Sequence, residues 1–214
     1  LHAGAGRVMV HLLAQAEGLA SSAALMLRPV DALSLGDNTT VVAGCGGGDA
    51  IRAHLPRLLS KAARLVLDAD ALNAIAQDQG LLHLLQQRAQ RQLQTVLTPH
   101  PLEAARLLGS STSAVQADRL ASAQALATLT QSCVVLKGAG SVIARAQGLP
   151  HINPTGNARL STAGSGDVLA GMMGARMAQG QSAWEAACGA VYAHGQRAEE
   201  GPQDSVLTAD MLAC

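Results

Sequence analysis

At 214 residues the chain is long enough for one sizeable core, and a single α/β domain is the default at that length. Hydrophobic residues make up 49% of it but aromatics only 1%, with Trp184, Tyr192 and no Phe, so the core has to be built from Leu, Val, Ala and Met and there is little aromatic surface for stacking bases. A formal net charge of +0 without a Lys/Arg cluster argues against nucleic acid or a membrane surface as partner, and a small soluble ligand fits better. Cys45, Cys133, Cys188 and Cys214 show no C-x-x-C spacing and no His at zinc-ligand spacing, so neither a zinc site nor a disulfide framework is expected. No apolar run reaches the ~18 residues of a membrane span, which with reduced thiols leads to the expectation of a cytoplasmic location.

Gly4 and Gly6 followed by Arg7 to Leu12 read as the close of a helix and then a strand. From Ala14 to Leu35 there are helical and turn signals without clear boundaries. Thr39 to Cys45 is a short β-rich run that ends in Gly44-Cys45-Gly46-Gly47-Gly48-Asp49, before a helical stretch through Leu59. Strand, glycines, helix is the order that lets a backbone approach a phosphate, although a plain tight turn has the same letters. Ala63 to Ala69 alternates as a strand that delivers Asp68-Ala69-Asp70-Ala71-Leu72-Asn73 to the start of a helix. Ligands gather outside such strand ends, yet Asp70 reads equally well as a helix cap with Asn73 facing water.

Gln94 to Leu97 is another strand, stopped by Thr98-Pro99-His100-Pro101, with a helix from Leu102 to Leu108 ending at Gly109. The two prolines restrict His100 at the strand's edge, where it serves either a cap or a ligand. Cys133 to Leu136 leads into Lys137-Gly138-Ala139-Gly140-Ser141 and a second strand from Val142 to Ala144, a hairpin whose lysine gives the turn a charge suited to phosphate. The stretch Asn153 to Gly171 then joins glycine-rich turns to a helix patterned by Val168, Leu169, Met172 and Ala175. Gly164, Ser165 and Gly166 leave backbone N–H groups free at the helix start, and Asp167 falls in its first turn, so a base would stand beside an anion hole. Asp167 as a simple capping residue is the alternative. Gln181 to Glu199, carrying Trp184, Tyr192 and His194, is an alanine-rich helix read as packing.

Five separated blocks, in order, resemble the NAD(P)H-hydrate dehydratase family of the ribokinase-like superfamily: AGAG with its strand, DADALN, TPHPLEAARLLG, KGAGS, and TGN followed by AGSGDVLAG. Cys45 and Gly47 stand where the family usually has G-P-G-L-G, which should loosen that loop, and Leu102 replaces a usual Gly. The resemblance implies a three-layer α/β/α fold, a mostly parallel sheet with helices on both faces, as one domain over residues 1–214. It also implies that the family's first strand and helix lie before Leu1, so the substrate site is expected to be incomplete here.

As function, the resemblance implies ADP- or ATP-dependent dehydration of the S-epimer of hydrated NADH or NADPH, releasing AMP or ADP and phosphate. Asp167 would be the general base. Gly46, Gly48, His100 and Asp167 would contact the hydrate. Lys137, Gly138, Ala139, Gly140, Ser141, Asn157, Gly164, Ser165 and Gly166 would hold the nucleotide, and Glu103 would order Mg²⁺ through water. ADP is the expected donor; a homo-oligomer, a tetramer by resemblance, and a fused or separate epimerase are implied partners. Two other readings stand beside this one: a small-molecule kinase for a vitamin precursor, and a nucleotide-binding relative without turnover.

Overall fold

A computed structural model describes residues 2–13, 25–200 and 207–213. Strands β1 (Val8–Leu12) and β2 (Leu25–Pro29) pair in parallel as a small sheet of their own. The main sheet has strands β3 (Thr40–Ala43), β4 (Arg64–Leu67), β5 (Gln94–Leu97), β6 (Cys133–Leu136), β7 (Val142–Ala144) and β8 (His151–Ile152), neighbours in that order. The first four run parallel, and β7 and β8 turn back antiparallel. Helices α1 (Leu55–Lys61), α2 (Ala69–Ala76), α3 (Gln79–Gln90), α4 (Pro101–Leu108), α5 (Thr112–Ala117) and α6 (Arg119–Thr130) supply one core, while α7 (Ser165–Ala178) and α8 (Ala183–Glu199) supply the other; a short α9 (Ala209–Ala213) follows.

Successive side chains in a strand point to opposite faces, and the central strands use both. Leu65, Leu67, Val134 and Leu136 pack toward α1 to α6, whereas Val66, Val96, Cys133 and Val135 pack toward α7 and α8. With both faces covered, the strands read as continuous apolar runs rather than as polar-apolar alternation. This is the expected α/β/α sandwich, and the strands at residues 94–97, 133–136 and 142–144 fall where the sequence puts them. The α7 helix lies so close to β3 that a Cβ on Gly174 would run into the Val42 side chain.

Gly4 takes a positive backbone φ of +92° ahead of β1. Two elements differ from expectation. In the stretch of unclear boundaries, residues 14–24 lie outside the described residues, and 25–29 form β2 and not a helix, with Pro29 ending the strand. The two-residue β8 was not expected; it is exposed and held only through β7.

Among the described residues, the largest fully buried side chain is charged. Arg88 on α3 donates from Nε to Thr95 Oγ1 at 2.7 Å, from Nη1 to Leu59 O at 2.8 Å and from Nη2 to Gln94 O at 3.1 Å. Every one of these acceptors is neutral. A cation here caps carbonyls at the C-terminal end of α1 and ties α1, α3 and β5 together. Burial brings its pKa down to about 10, which still leaves it protonated at neutral pH.

Candidate functional site

The C-terminal ends of β3, β4, β5 and β6 converge, the usual place for a ligand in a parallel sheet. β3 runs into Gly44, at φ +109°, and a Cβ there would land on the Asp68 carbonyl oxygen, so only glycine lets the two chain segments pass. Ala69, at φ +42°, then separates two acids that serve different partners. Asp70 Oδ2 accepts the Gly48 N–H at 2.7 Å, and Asp70 N–H donates to Gly44 O at 3.2 Å. Asp70 thus ties the glycine loop to the start of α2. Asp70 makes no cap bond to α2, and Asn73 accepts from Arg106 Nη1 at 2.6 Å instead of facing only water.

Asp68 points the other way and is buried, with Oδ1 at 2.8 Å from Lys137 Nζ. Strand parity explains the meeting: Asp68 continues the face of Val66, and Lys137 that of Val135, which is the α7 side of the sheet. There α7 begins. A Cβ on Gly166 would lie 3.3 Å from Lys137 Nζ and 3.8 Å from Asp68 Oδ2, so the bare backbone of the helix start packs onto the ion pair. One residue on, Asp167 is exposed in the first turn. The Cys45 thiol completes the cluster: one ligand atom each from Cys45, Asp68 and Asp167 lie within 4.8 Å of one another. Loss of solvent around the thiol, then the negative charges of Asp68 and Asp167, push its pKa up to about 12, so the sulfur stays protonated and can donate to the carboxylates.

Gly164, left-handed at φ +79°, turns the chain into α7, and Ser165 Oγ meets His194 Nε2 of α8 at 3.3 Å. Asn157 is held against α8, its Nδ2 donating to Ala198 O at 2.9 Å while Oδ1 accepts from Arg159 N. The turn from Lys137 to Ser141 is indeed a hairpin, with Gly138 and Gly140 at φ +146° and +60°. Arg119, the first residue of α6, braces it by donating to Ala139 O and to Leu136 O. The turn is tied to β5 by Lys137 N–H donating to Pro99 O at 2.9 Å. Next to it, His100 caps α4: its Nδ1 accepts from the N–H of Leu102 and Glu103, while Glu103 Oε2 accepts the His100 N–H at 2.8 Å. Glu103 Oε1 lies 3.2 Å from His100 Nε2, which fits the Nε2–H tautomer.

Of the residues expected at the site, Lys137, Gly166 and Asp167 come together, with Gly164 and Ser165 leading in. Gly46 and Gly48 flank them on the Cys45 loop, although the Gly48 N–H is already spent on Asp70. His100 and Glu103 sit at the end of the adjacent strand, engaged with each other. Asp68 was expected at a strand end where ligands gather, but its pairing with Lys137 was not, although parity with Val66 was a signal for it. Cys45, His194 and Arg119 were missed as site groups; a lone Cys, His or Arg in a helix or loop carried no signal.

Over residues 1–214 the sequence matches the NAD(P)H-hydrate dehydratase family. It is 39% identical over 194 residues to an ADP-dependent (S)-NAD(P)H-hydrate dehydratase of Neisseria meningitidis serogroup B, covering 88% of this chain and 64% of that relative. It is 40% identical over 195 residues to a bifunctional NAD(P)H-hydrate repair enzyme of Moorella thermoacetica, covering 87% of this chain and 34% of the other. The chain thus spans less than two thirds of either relative. The crystal structure of an ADP/ATP-dependent NAD(P)H-hydrate dehydratase from Bacillus subtilis, co-crystallized with ATP/Mg²⁺ and soaked with CoA, superposes with a TM-score of 0.70 at 27% identity, over 89% of this chain and 70% of that one. The mostly parallel sheet with helices on both faces is the ribokinase-like fold that the five blocks implied, and the chain belongs to the NAD(P)H-hydrate dehydratase family.

Proposed function

We propose that this chain carries out ADP- or ATP-dependent dehydration of the S-epimer of hydrated NADH and NADPH, with ADP as the preferred donor. The observation that carries the reading is the exposed Asp167 carboxylate in the first turn of α7, beside the Lys137–Asp68 pair and the bare backbone of Gly166. Asp167 takes the proton from the ring hydroxyl as that oxygen attacks the terminal phosphorus of the nucleotide, and the bond from that phosphorus to the bridging oxygen breaks to release AMP from ADP, or ADP from ATP. The N–H groups at the start of α7 and the Lys137 ammonium face the charge that develops on the phosphoryl oxygens. Phosphate then leaves the ring together with a neighbouring ring proton, which restores the dihydronicotinamide and completes the loss of water.

Charge counting supports a divalent cation. Asp68 already neutralises Lys137, so the cluster with Asp167 is net negative and would repel a polyphosphate. Mg²⁺ would bridge that repulsion and neutralise phosphate charge when bound. Asp167 offers a suitable oxygen donor, and the Cys45 thiol, protonated at neutral pH, does not compete. Glu103 keeps lone pairs beyond its cap bonds and is proposed to act through water.

The remaining parts of the proposal are structural and cellular. Gly46, Gly48 and His100 contact the hydrate, while the Gly138–Ser141 turn and Asn157 contact the nucleotide. The chain forms one domain whose main sheet could accept a further strand at the outer edge of β3, where no described strand pairs, while β1 and β2 pair in a sheet of their own. It works in the cytoplasm as a homo-oligomer, with an epimerase, fused or separate, supplying the S-epimer. No described helix is long and apolar enough to cross a membrane. The test is to mix the protein with NADPH-hydrate, Mg²⁺ and ADP or ATP and follow NADPH absorbance. A phosphorylated product without NADPH would identify a small-molecule kinase, and ADP binding without turnover would identify a non-catalytic relative.

A further inference from the structure

The C-terminal half of α8 is more than a cover for the sheet. It grips the loop before α7 at three points: Thr155 Oγ1 donates to Tyr192 O at 2.9 Å, Gly156 N–H donates to Glu199 Oε1 at 2.7 Å, and Asn157 Nδ2 donates to Ala198 O at 2.9 Å. A Cβ on Gly195 would run into Thr155, so α8 and this loop are in direct contact. Between those points lies His194, 5% exposed, with Nε2 3.3 Å from Ser165 Oγ, and Ser165 is also 5% exposed. Ser165 is the residue on which α7 starts, immediately before Gly166 and Asp167. Burial lowers the imidazole pKa, against a backbone hydrogen bond with Ser165 that raises it, so the ring is neutral and engages Ser165 through both its hydroxyl and its backbone.

We propose that His194 is a positioning residue: through Ser165 it sets the start of α7, so that the Gly166 and Asp167 N–H groups and the Asp167 carboxylate meet the phosphoryl group in register. The same helix holds Thr155 to Asn157, so α8 aligns two loops against one ligand. This rests on the dehydratase reading given above.

His194→Leu keeps the bulk and loses the hydrogen bond, whereas His194→Gln keeps a group able to bond Ser165. The ADP dissociation constant with Mg²⁺, by calorimetry, should rise about tenfold in His194→Leu, with KM for ADP following and kcat falling further. His194→Gln should recover most of that loss. Ser165→Ala, which removes the hydroxyl but keeps the backbone bond, should raise the ADP dissociation constant in the same direction by less than His194→Leu, and the double variant should be no worse than His194→Leu. An unchanged ADP dissociation constant in His194→Leu, or equal losses in the Leu and Gln variants that track melting temperature, would overturn the inference. If His194→Leu fails to fold, Ser165→Ala against the wild type decides by the same binding measurement. A wild-type protein that binds ADP without dehydrating NADPH-hydrate would count against the function and leave this binding test intact.

Discussion

Replacing Lys137 tests whether its first task is to bind phosphate or to neutralise Asp68. Sequence alone leads to the expectation that Lys137→Ala weakens nucleotide binding more than it disturbs structure. The structure adds a second cost, because the Asp68 side chain is 2% exposed and its Oδ1 lies 2.8 Å from Nζ. Removing one partner of a buried pair leaves the other charge uncompensated, at about 3–5 kcal/mol. Lys137, at 20% exposure, gives water a route to the gap, which argues for the lower end, about 3 kcal/mol. For a chain of this length about 2–4 °C is lost per kcal/mol, so Lys137→Met should melt roughly 6–12 °C below wild type. Asp68→Asn in the same chain removes the stranded charge, and the double variant should regain about 2 kcal/mol of that loss. Urea and thermal unfolding of the four proteins measures the coupling by a double-mutant cycle. A Lys137→Met protein within about 0.5 kcal/mol of wild type would refute the argument that Asp68 depends on this partner, and would leave Lys137 as a ligand group alone.

Asp167→Asn should preserve the fold and ADP binding but cut turnover by at least ~10²-fold, because the amide keeps the shape and cannot take the proton; near-normal dehydration would remove the general-base role. Gly44→Ala should destabilise by about 3 kcal/mol or more, since it combines a positive φ with a collision against the Asp68 carbonyl; a denaturation midpoint equal to wild type would contradict that close approach. The Cys45 thiol, with its pKa pushed up to about 12, should resist iodoacetamide at pH 7–9 and react appreciably only above about pH 11, as followed by mass spectrometry. The sign for stability follows: the folded state holds this proton more tightly than the unfolded chain, so the contribution is complete below about pH 9 and fades as pH rises toward 12. Cys45 is exposed, so its resistance would come from protonation beside Asp68 and Asp167 rather than from lack of access, and fast alkylation at pH 8 would refute the raised pKa.

The central strands were readable because they are buried on both faces. Runs such as Cys133 to Leu136 leave no alternation to misread, and a turn or a proline bounds each of them. β2 was not readable, since LMLRP is half-buried, two-stranded and preceded by a stretch without periodicity. Local backbone chemistry was legible. The glycines around Ser165 announce the start of a helix, and the cap reading of His100 is one the structure contains. Contacts between distant segments were not legible. Asp68 and Lys137 are 69 residues apart and meet through strand order, which propensity does not encode. Ala69 at positive φ decides which of the two acids turns inward, and its letter gives no hint of that conformation. His194 looked like packing because its partner, Ser165, belongs to a helix that precedes it by a full turn of the fold.

Arg88 gives the molecule an electrostatic anchor of an unusual kind. Dissolved ions erode attractions between exposed charges, and the Arg52–Asp78 pair, with both side chains well exposed, belongs to that class. The Arg88 contacts do not, because their acceptors are neutral carbonyls and a hydroxyl inside the core, where no counter-ion enters. The joint between α1, α3 and β5 is therefore blind to ionic strength, and raising salt should loosen the outside of these helices while leaving the seam that holds them to the sheet as it was.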